Sequence, residues 1–256
     1  MEYAHLSSTV GVKTVSEDAT KGVFEIEGLY AGYGLTVGNA LRRVLLSSLP
    51  GAAVTEIKIK GVSHEFSTLP GLKEDIVELA LNFKKLRFQL HVDEPQVLLL
   101  HVKGEATVTS GDIELNSNVQ LMNPDEVLGH LTAKDAELDI EVKVERGLGY
   151  VPVEARRSEG GRTAIGTIAV DAIFTPVQRV NYVVEEMRVG DRTDFNRVRL
   201  EIETDGTVSP SAALHKTSKI LQDHFEKVGA VEVKAFEAAA EKPEGKKKAT
   251  KKKKED

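Results

Sequence analysis

The sequence predicts an α+β fold, on three observations: short segments with apolar residues at every second position, three segments with apolar residues at helical spacing, and no regular strand-helix-strand alternation between them. From Val54 to Lys60, Thr55, Ile57 and Ile59 fall on one face and Glu56, Lys58 and Lys60 on the other, the pattern of a half-buried strand. The same period of two returns in Leu86, Phe88, Leu90 and Val92, in Leu138, Ile140, Val142 and Val144, in Val180, Tyr182 and Val184, and in Val198, Leu200 and Ile202. Charged or polar residues mostly stand between these positions, so antiparallel sheet with one wet face is the natural consequence.

The first helix is expected from about Thr36 to Leu49, with Val37, Ala40, Leu41, Val44 and Leu45 at helical spacing, and Pro50-Gly51 stops it. A second, near Lys73 to Lys85, places Ile76, Leu79, Ala80 and Phe83 on one face. Its acids Glu74 and Asp75 come early and Lys84 and Lys85 late, as the helix dipole favours. The third has the clearest start: Ser209 suits an N-cap and Pro210 the first helical position, and the stripe Leu214, Thr217, Leu221, Phe225 and Val228 ends before Gly229. From Phe236 onward Ala, Glu, Pro and Lys dominate and no core can form, so this end is expected to be a disordered lysine-rich tail.

A chain of 256 residues with 41% hydrophobic content can bury a substantial core in one or two domains. The formal charge of -6 argues against a whole-surface basic field of the kind that holds nucleic acid. The tail carries eight lysines against five acids from Glu237 on, net +3, so the body before it stands at -9. With no cysteine, disulfides, thiolate nucleophiles and Cys-ligated zinc or iron-sulfur sites are excluded, and the cytoplasm is the expected compartment. Residues 1–12 lack the basic and apolar regions of a secretory signal. The longest apolar run, Val97 to Leu100, is too short to span a bilayer, so no membrane role is expected.

Gly28, Gly32, Gly34 and Gly38 lead into the first helix, where phosphates are commonly cradled. Their spacing misses the dinucleotide fingerprint by one residue and lacks the Gly-Lys-Ser/Thr of a P-loop, so a tight turn with close backbone approach is the better reading. The seven histidines, His5, His64, His91, His101, His130, His215 and His224, show no metal-binding pair at helical spacing, and no nucleophile elbow is present. Arg42 and Arg43 point about 100° apart on a helix and so flank the apolar stripe. They are weighed evenly between an interface border, where arginine's forked hydrogen bonds serve recognition, and an exposed pair of little consequence.

The stretch GYGLTVGNALRRVLLSSLPG from Gly32 to Gly51 closely resembles the signature helix of the bacterial DNA-dependent RNA polymerase alpha subunits. The resemblance continues in HEFSTLPGLKEDI from His64 to Ile76, LNFK from Leu81 to Lys84, RGLGYVP from Arg146 to Pro152, RTD from Arg192 to Asp194, and Asp205-Gly206. About residues 3 to 235 are covered, in the family's order. It implies two subdomains: a dimerisation part of antiparallel sheet plus helices at 1–50 and 177–235, and a mainly β insert at 51–176. The first and last helices would pack against their twins, bringing Val37, Ala40, Leu41, Val44, Leu45, Leu214, Leu221, Phe225 and Val228 to the self-contact. Asn39, Arg42, Arg43 and Leu46 would lie where the beta subunit docks, with the loop from His64 to Asp75 on the same side, and the region from Pro176 to Arg199 would meet beta prime.

The resemblance also implies omega and sigma as companions within the complex, with DNA in the holoenzyme. No catalytic residue, metal or cofactor is expected in this chain, because the family's magnesium sits on acids of beta prime. Two departures stand out. Leu148 occupies a position where many relatives carry a basic residue, and the chain ends in lysines where relatives continue into a C-terminal helical domain that binds promoter DNA. The seven lysines from Lys246 to Lys254 are expected to give at most a weak, sequence-independent attraction to DNA. A standalone dimeric nucleic-acid-binding protein using that tail is the alternative reading, and a phosphate-handling protein built on the Gly28 to Gly38 loop is a third.

Overall fold

In the structure, a computed structural model, residues 8–158 and 166–232 are described. The elements run β1 (Gly11–Glu17), β2 (Lys21–Leu29), α1 (Tyr33–Ser47), β3 (Pro50–Ile59), α2 (Ile76–Lys84), β4 (Phe88–Leu90), β5 (Gln96–Lys103), β6 (Ala106–Thr109) and β7 (Ile113–Glu114). They continue with β8 (Val119–Leu121), β9 (Val127–Leu131), β10 (Glu137–Leu148), β11 (Tyr150–Val151), α3 (Val153–Ser158), β12 (Thr167–Ala169), β13 (Ala172–Ile173), β14 (Val177–Val189), β15 (Arg192–Thr204) and α4 (Pro210–Gly229). Every strand pairing among the described residues is antiparallel, so the fold is α+β as the alternating segments predict. The lysine-rich tail lies outside the described residues, as does His5.

Two hydrophobic cores divide the chain. The first sits on a four-stranded sheet of order β1-β2-β15-β14, drawn from both ends of the sequence. Phe24 and Ile26 of β2 and Val198, Leu200 and Ile202 of β15 form its buried face, covered by Leu41, Leu45 and Leu49 from the α1 side and by Ala213 and Leu214 of α4. The second core lies on a sheet of order β7-β5-β10-β3-β4-β8, to which β12 adds by pairing with β3. Leu138, Ile140, Val142 and Val144 of β10 pack there with Ile76, Leu79 and Phe83 of α2.

Several local details depart from the sequence pattern. The register of β10 on β3 shifts between Lys143 and Val144, opposite Thr55. That bulge puts Val54 and Ile57, three residues apart, in one core, while Ala53 joins a separate small cluster with Ala172 and Phe174. The run from Val97 to Leu100 alternates, with Leu98 and Leu100 buried and Val97 and Leu99 exposed, as on any strand with one wet face. α2 starts three residues later than its charge pattern suggests because Asp75 is the N-cap, its Oδ1 accepting the Glu78 N–H at 2.6 Å. α4 begins as expected, Ser209 Oγ accepting from Ala212 N at 3.3 Å with Pro210 next. No helix among the described residues is long and apolar enough to cross a membrane.

Candidate assembly interface

α1 lies unusually close to the sheet beneath it because two of its positions have no side chain. A Cβ on Gly38 would sit 2.7 Å from the Tyr182 ring, and one on Gly34 would sit 2.6 Å from Val184 Cγ1 and 2.9 Å from Asn196 Cβ. The helix therefore presses its backbone onto β14 and β15, which accounts for glycines that spell no phosphate-binding motif. Its N-terminus begins at Tyr33, after Gly32 in left-handed backbone with φ 84°, and Gly32 offers no capping side chain. Asn196 of β15 supplies the cap from across the fold: its Oδ1 accepts from Gly32 N at 2.9 Å and from Gly34 N at 3.3 Å.

With the helix fixed in this way, the faces of α1 are settled. Leu41 and Leu45 point inward, Leu45 with no exposed surface at all, and both belong to the protomer's own core. The expectation that Leu45 faces a twin helix is thereby corrected, since its own chain covers it completely, whereas Leu41 keeps an edge on the groove beside α4. Leu214 of α4 packs against the same core and also lines that groove. Val37, Ala40, Val44 and Leu46 are half-buried at the helix flanks. Asn39, Arg42 and Arg43 are exposed, and no ion pair or side-chain hydrogen bond holds the two guanidinium groups among the described residues. Tyr33 and Leu35 in the first turn are also exposed, Leu35 to 62%.

α4 runs past the body that supports it. Its first turns bury Ala213, Leu214 and Thr217, and Ile220 and Leu221 are half-covered, but the stripe then continues into open space. Phe225 is 66% exposed and Val228 69%, although both lie at the same helical spacing as the buried residues. Beside α4 opens an apolar groove of about 300 Å³, lined among others by Val12 and Thr14 of β1, Ile26 of β2, Leu41 of α1 and Ser218 of α4. β1 is exposed along its whole length and forms the edge of its sheet.

A second groove, about 290 Å³, lies on the other core between α2, α3 and β12. Phe66 is 79% exposed at its rim, and Val77 and Leu81 stand out from α2 beside it. Sequence periodicity missed this surface, since Leu81 reads as a helix residue of no special face and Phe66 stands in a loop. The signal was there in Phe66 itself, an aromatic residue in a segment with no strand or helix to bury it. At the groove floor Asp171 accepts from Val153 N at 3.1 Å, Lys84 Nζ at 3.2 Å and the Tyr150 hydroxyl at 3.0 Å. The Val153 N–H first, then Lys84 and Tyr150, hold its carboxyl below the ordinary value against the opposing effect of burial. The same contact pushes the Tyr150 phenol up.

Two further groups of titratable side chains form structural ties. Glu74, just ahead of α2, accepts from His130 N at 2.7 Å and meets His130 Nδ1 at 2.6 Å. Burial alone would raise its pKa, but the bonds from the His130 ring and backbone outweigh it and leave the carboxyl below its ordinary value. His101, Glu137 and Asp139 are the one group among the described residues with ligand atoms close enough to share a metal ion. Both acids are already engaged by lysines, Asp139 by Lys60 at 2.8 Å and Glu137 by Lys103 at 2.9 Å. The cluster is thus a charge-balanced network on an exposed sheet face.

Comparison with known proteins bears on this geometry. Residues 57–175 match the family described as the RNA polymerase Rpb3/RpoA insert domain. The chain is 48% identical over 212 residues to the DNA-directed RNA polymerase subunit alpha of Symbiobacterium thermophilum, covering 83% of this chain and 66% of that one. It is 52% identical over 200 residues to the namesake from Herpetosiphon aurantiacus, covering 78% and 59%. With that of Alkaliphilus metalliredigens it shares 44% over 216 residues, covering 84% and 68%. The chain spans roughly two thirds of the length of such relatives, and just under that of the Symbiobacterium protein.

Proposed function

The chain belongs to the DNA-directed RNA polymerase subunit alpha family, and on that footing we propose that it is a non-catalytic assembly scaffold. It forms a two-fold homodimer through residues 1–50 and 177–235 and offers docking faces to the beta and beta prime subunits for transcription. The observation that carries this reading is the overhang of α4: a helix whose apolar stripe continues beyond its own protomer needs a second surface to cover Phe225 and Val228. A twin placed by two-fold symmetry presents the same stripe in return and can fill the groove beside β1. The self-contact is accordingly assigned to Leu35, Val37, Val44, Leu221, Phe225 and Val228.

Docking of beta is assigned to Asn39, Arg42, Arg43 and the flank at Leu46. Exposed guanidinium groups on a helix held rigidly by Gly34, Gly38 and Asn196 suit bidentate recognition of a partner's carboxylates or carbonyls. The groove at Phe66, Val77 and Leu81 is a further docking face for a large subunit, and the region from Pro176 to Arg199 is assigned to beta prime. Polymerisation chemistry, with its magnesium, belongs to those larger chains.

Two variants separate the two contacts. Phe225→Asp is expected to convert the dimer to folded monomer in sedimentation velocity, because a buried unpaired charge costs several kcal/mol. Arg43→Ala is expected to stay dimeric while capture of purified beta on a column falls at least tenfold. A Phe225→Asp protein that sediments as a dimer, or an Arg43→Ala protein that captures beta like the parent, would contradict the corresponding assignment.

A further inference from the structure

We propose that the ion pair between Arg87 and Asp205 sets the angle between the two bodies of the protein. Arg87 follows α2 in the body built on the second core, and Asp205 occupies the turn between β15 and α4 in the other. Of the ion pairs among the described residues, this is the one that joins the two bodies. Its Nε to Oδ2 separation of 3.9 Å makes it a charge pair rather than a hydrogen bond. Its side chains are 20% and 6% exposed, so solvent screens the attraction weakly.

Both partners are fixed before they meet. Arg87 Nη1 donates to the carbonyls of Lys84 and Leu86 at 3.1 Å each, and the Arg87 N–H donates to Asn123 Oδ1 at 2.9 Å. Asp205 Oδ1 accepts from Thr207 N at 3.0 Å and Thr207 Oγ1 at 2.5 Å, and the Asp205 N–H donates to Pro176 O at 2.9 Å. The Oδ2 atom is thereby left to face the arginine. The attraction between two charges on fixed mounts resists separation of the bodies along the line that joins them, whereas the small cavity of about 90 Å³ nearby, lined by Phe88, Thr207 and Val208 among others, marks looser packing along the seam. Without its counter-charge, the covered Asp205 carboxylate draws water into that seam and the bodies gain freedom to rotate. The inference does not depend on what docks on either body.

The absence of cysteine allows spin labels to be placed at will. Cysteines introduced at exposed Glu105 and Asn181, one in each body, would carry nitroxide labels in the full chain, mixed with excess unlabelled chain so that distances within one protomer are read by pulsed electron spin resonance. The parent is expected to give one narrow distance distribution. Arg87→Ala should at least double its width, and Asp205→Asn, which keeps an oxygen for Thr207, should do the same. The double variant should broaden it no further than either single one. Unchanged widths, or broadening in Arg87→Ala but not in Asp205→Asn, would overturn the proposal. So would loss of folding in both single variants, since the pair would then be a requirement of the fold and not of the angle.

Discussion

A single missing methyl group governs how α1 is placed. At Gly38 the added Cβ of alanine meets the Tyr182 ring at 2.7 Å, inside any normal contact distance, and the ring cannot yield freely because it is half-buried between helix and sheet. Gly38→Ala is therefore expected to lower stability by about 1–3 kcal/mol, the usual cost of overpacking, read as a drop in thermal midpoint. An unchanged midpoint would mean that the helix does not press on β14 as described. The reason for this glycine was half legible in the sequence: the spacing excluded a phosphate loop and left close backbone approach, but the neighbour, a tyrosine 144 positions away, had no local signal. Asn196, which caps α1 from β15, is hidden for the same reason. A helix that begins after Gly32 without a capping residue of its own advertises only that some other residue must serve.

At the scale of elements, local chemistry specified ends and faces well where one residue decides them. Ser209-Pro210 starts α4 as the sequence predicts, whereas α2 starts at the Asp75 cap, inside the span first expected for it, each by a side-chain oxygen on a free backbone N–H. Short α3, between Val153 and Ser158, left no periodic pattern long enough to detect. It is held to the rest partly by Asp171, which takes the Val153 N–H at 3.1 Å together with Lys84 and Tyr150. Because the folded-state pKa of Asp171 is lowered, its contribution to stability is fully present above the ordinary value of 3.8 and is lost as pH falls through the lower folded value. Asp171→Asn is thus expected to destabilise the protein near neutral pH, with the difference from the parent shrinking as the solution is acidified below 3.8. A difference independent of pH, in urea titrations across that range, would show that the carboxylate charge is not what ties these elements together.

For the molecule as a whole, two surfaces of similar composition have opposite fates. Leu45 and Phe225 are both large apolar residues on amphipathic helices, yet Leu45 is fully covered by its own chain and Phe225 stands in solvent. Leu45→Asp is therefore expected to abolish the cooperative unfolding transition in circular dichroism, a loss of the protomer itself, whereas Phe225→Asp keeps the fold and changes only the mass of the assembly. A folded, cooperative Leu45→Asp protein would mean the core is not arranged as described. The sequence by itself determined the alternating strands, the three long helices, the α+β class and the kinship with the polymerase alpha subunits, because period, caps and long motifs are properties of neighbouring residues. Tertiary structure alone decided which side of each stripe is spent on the protein's own core and which is left over, since that depends on how far distant elements reach, and those packed against α4 cover only its first turns.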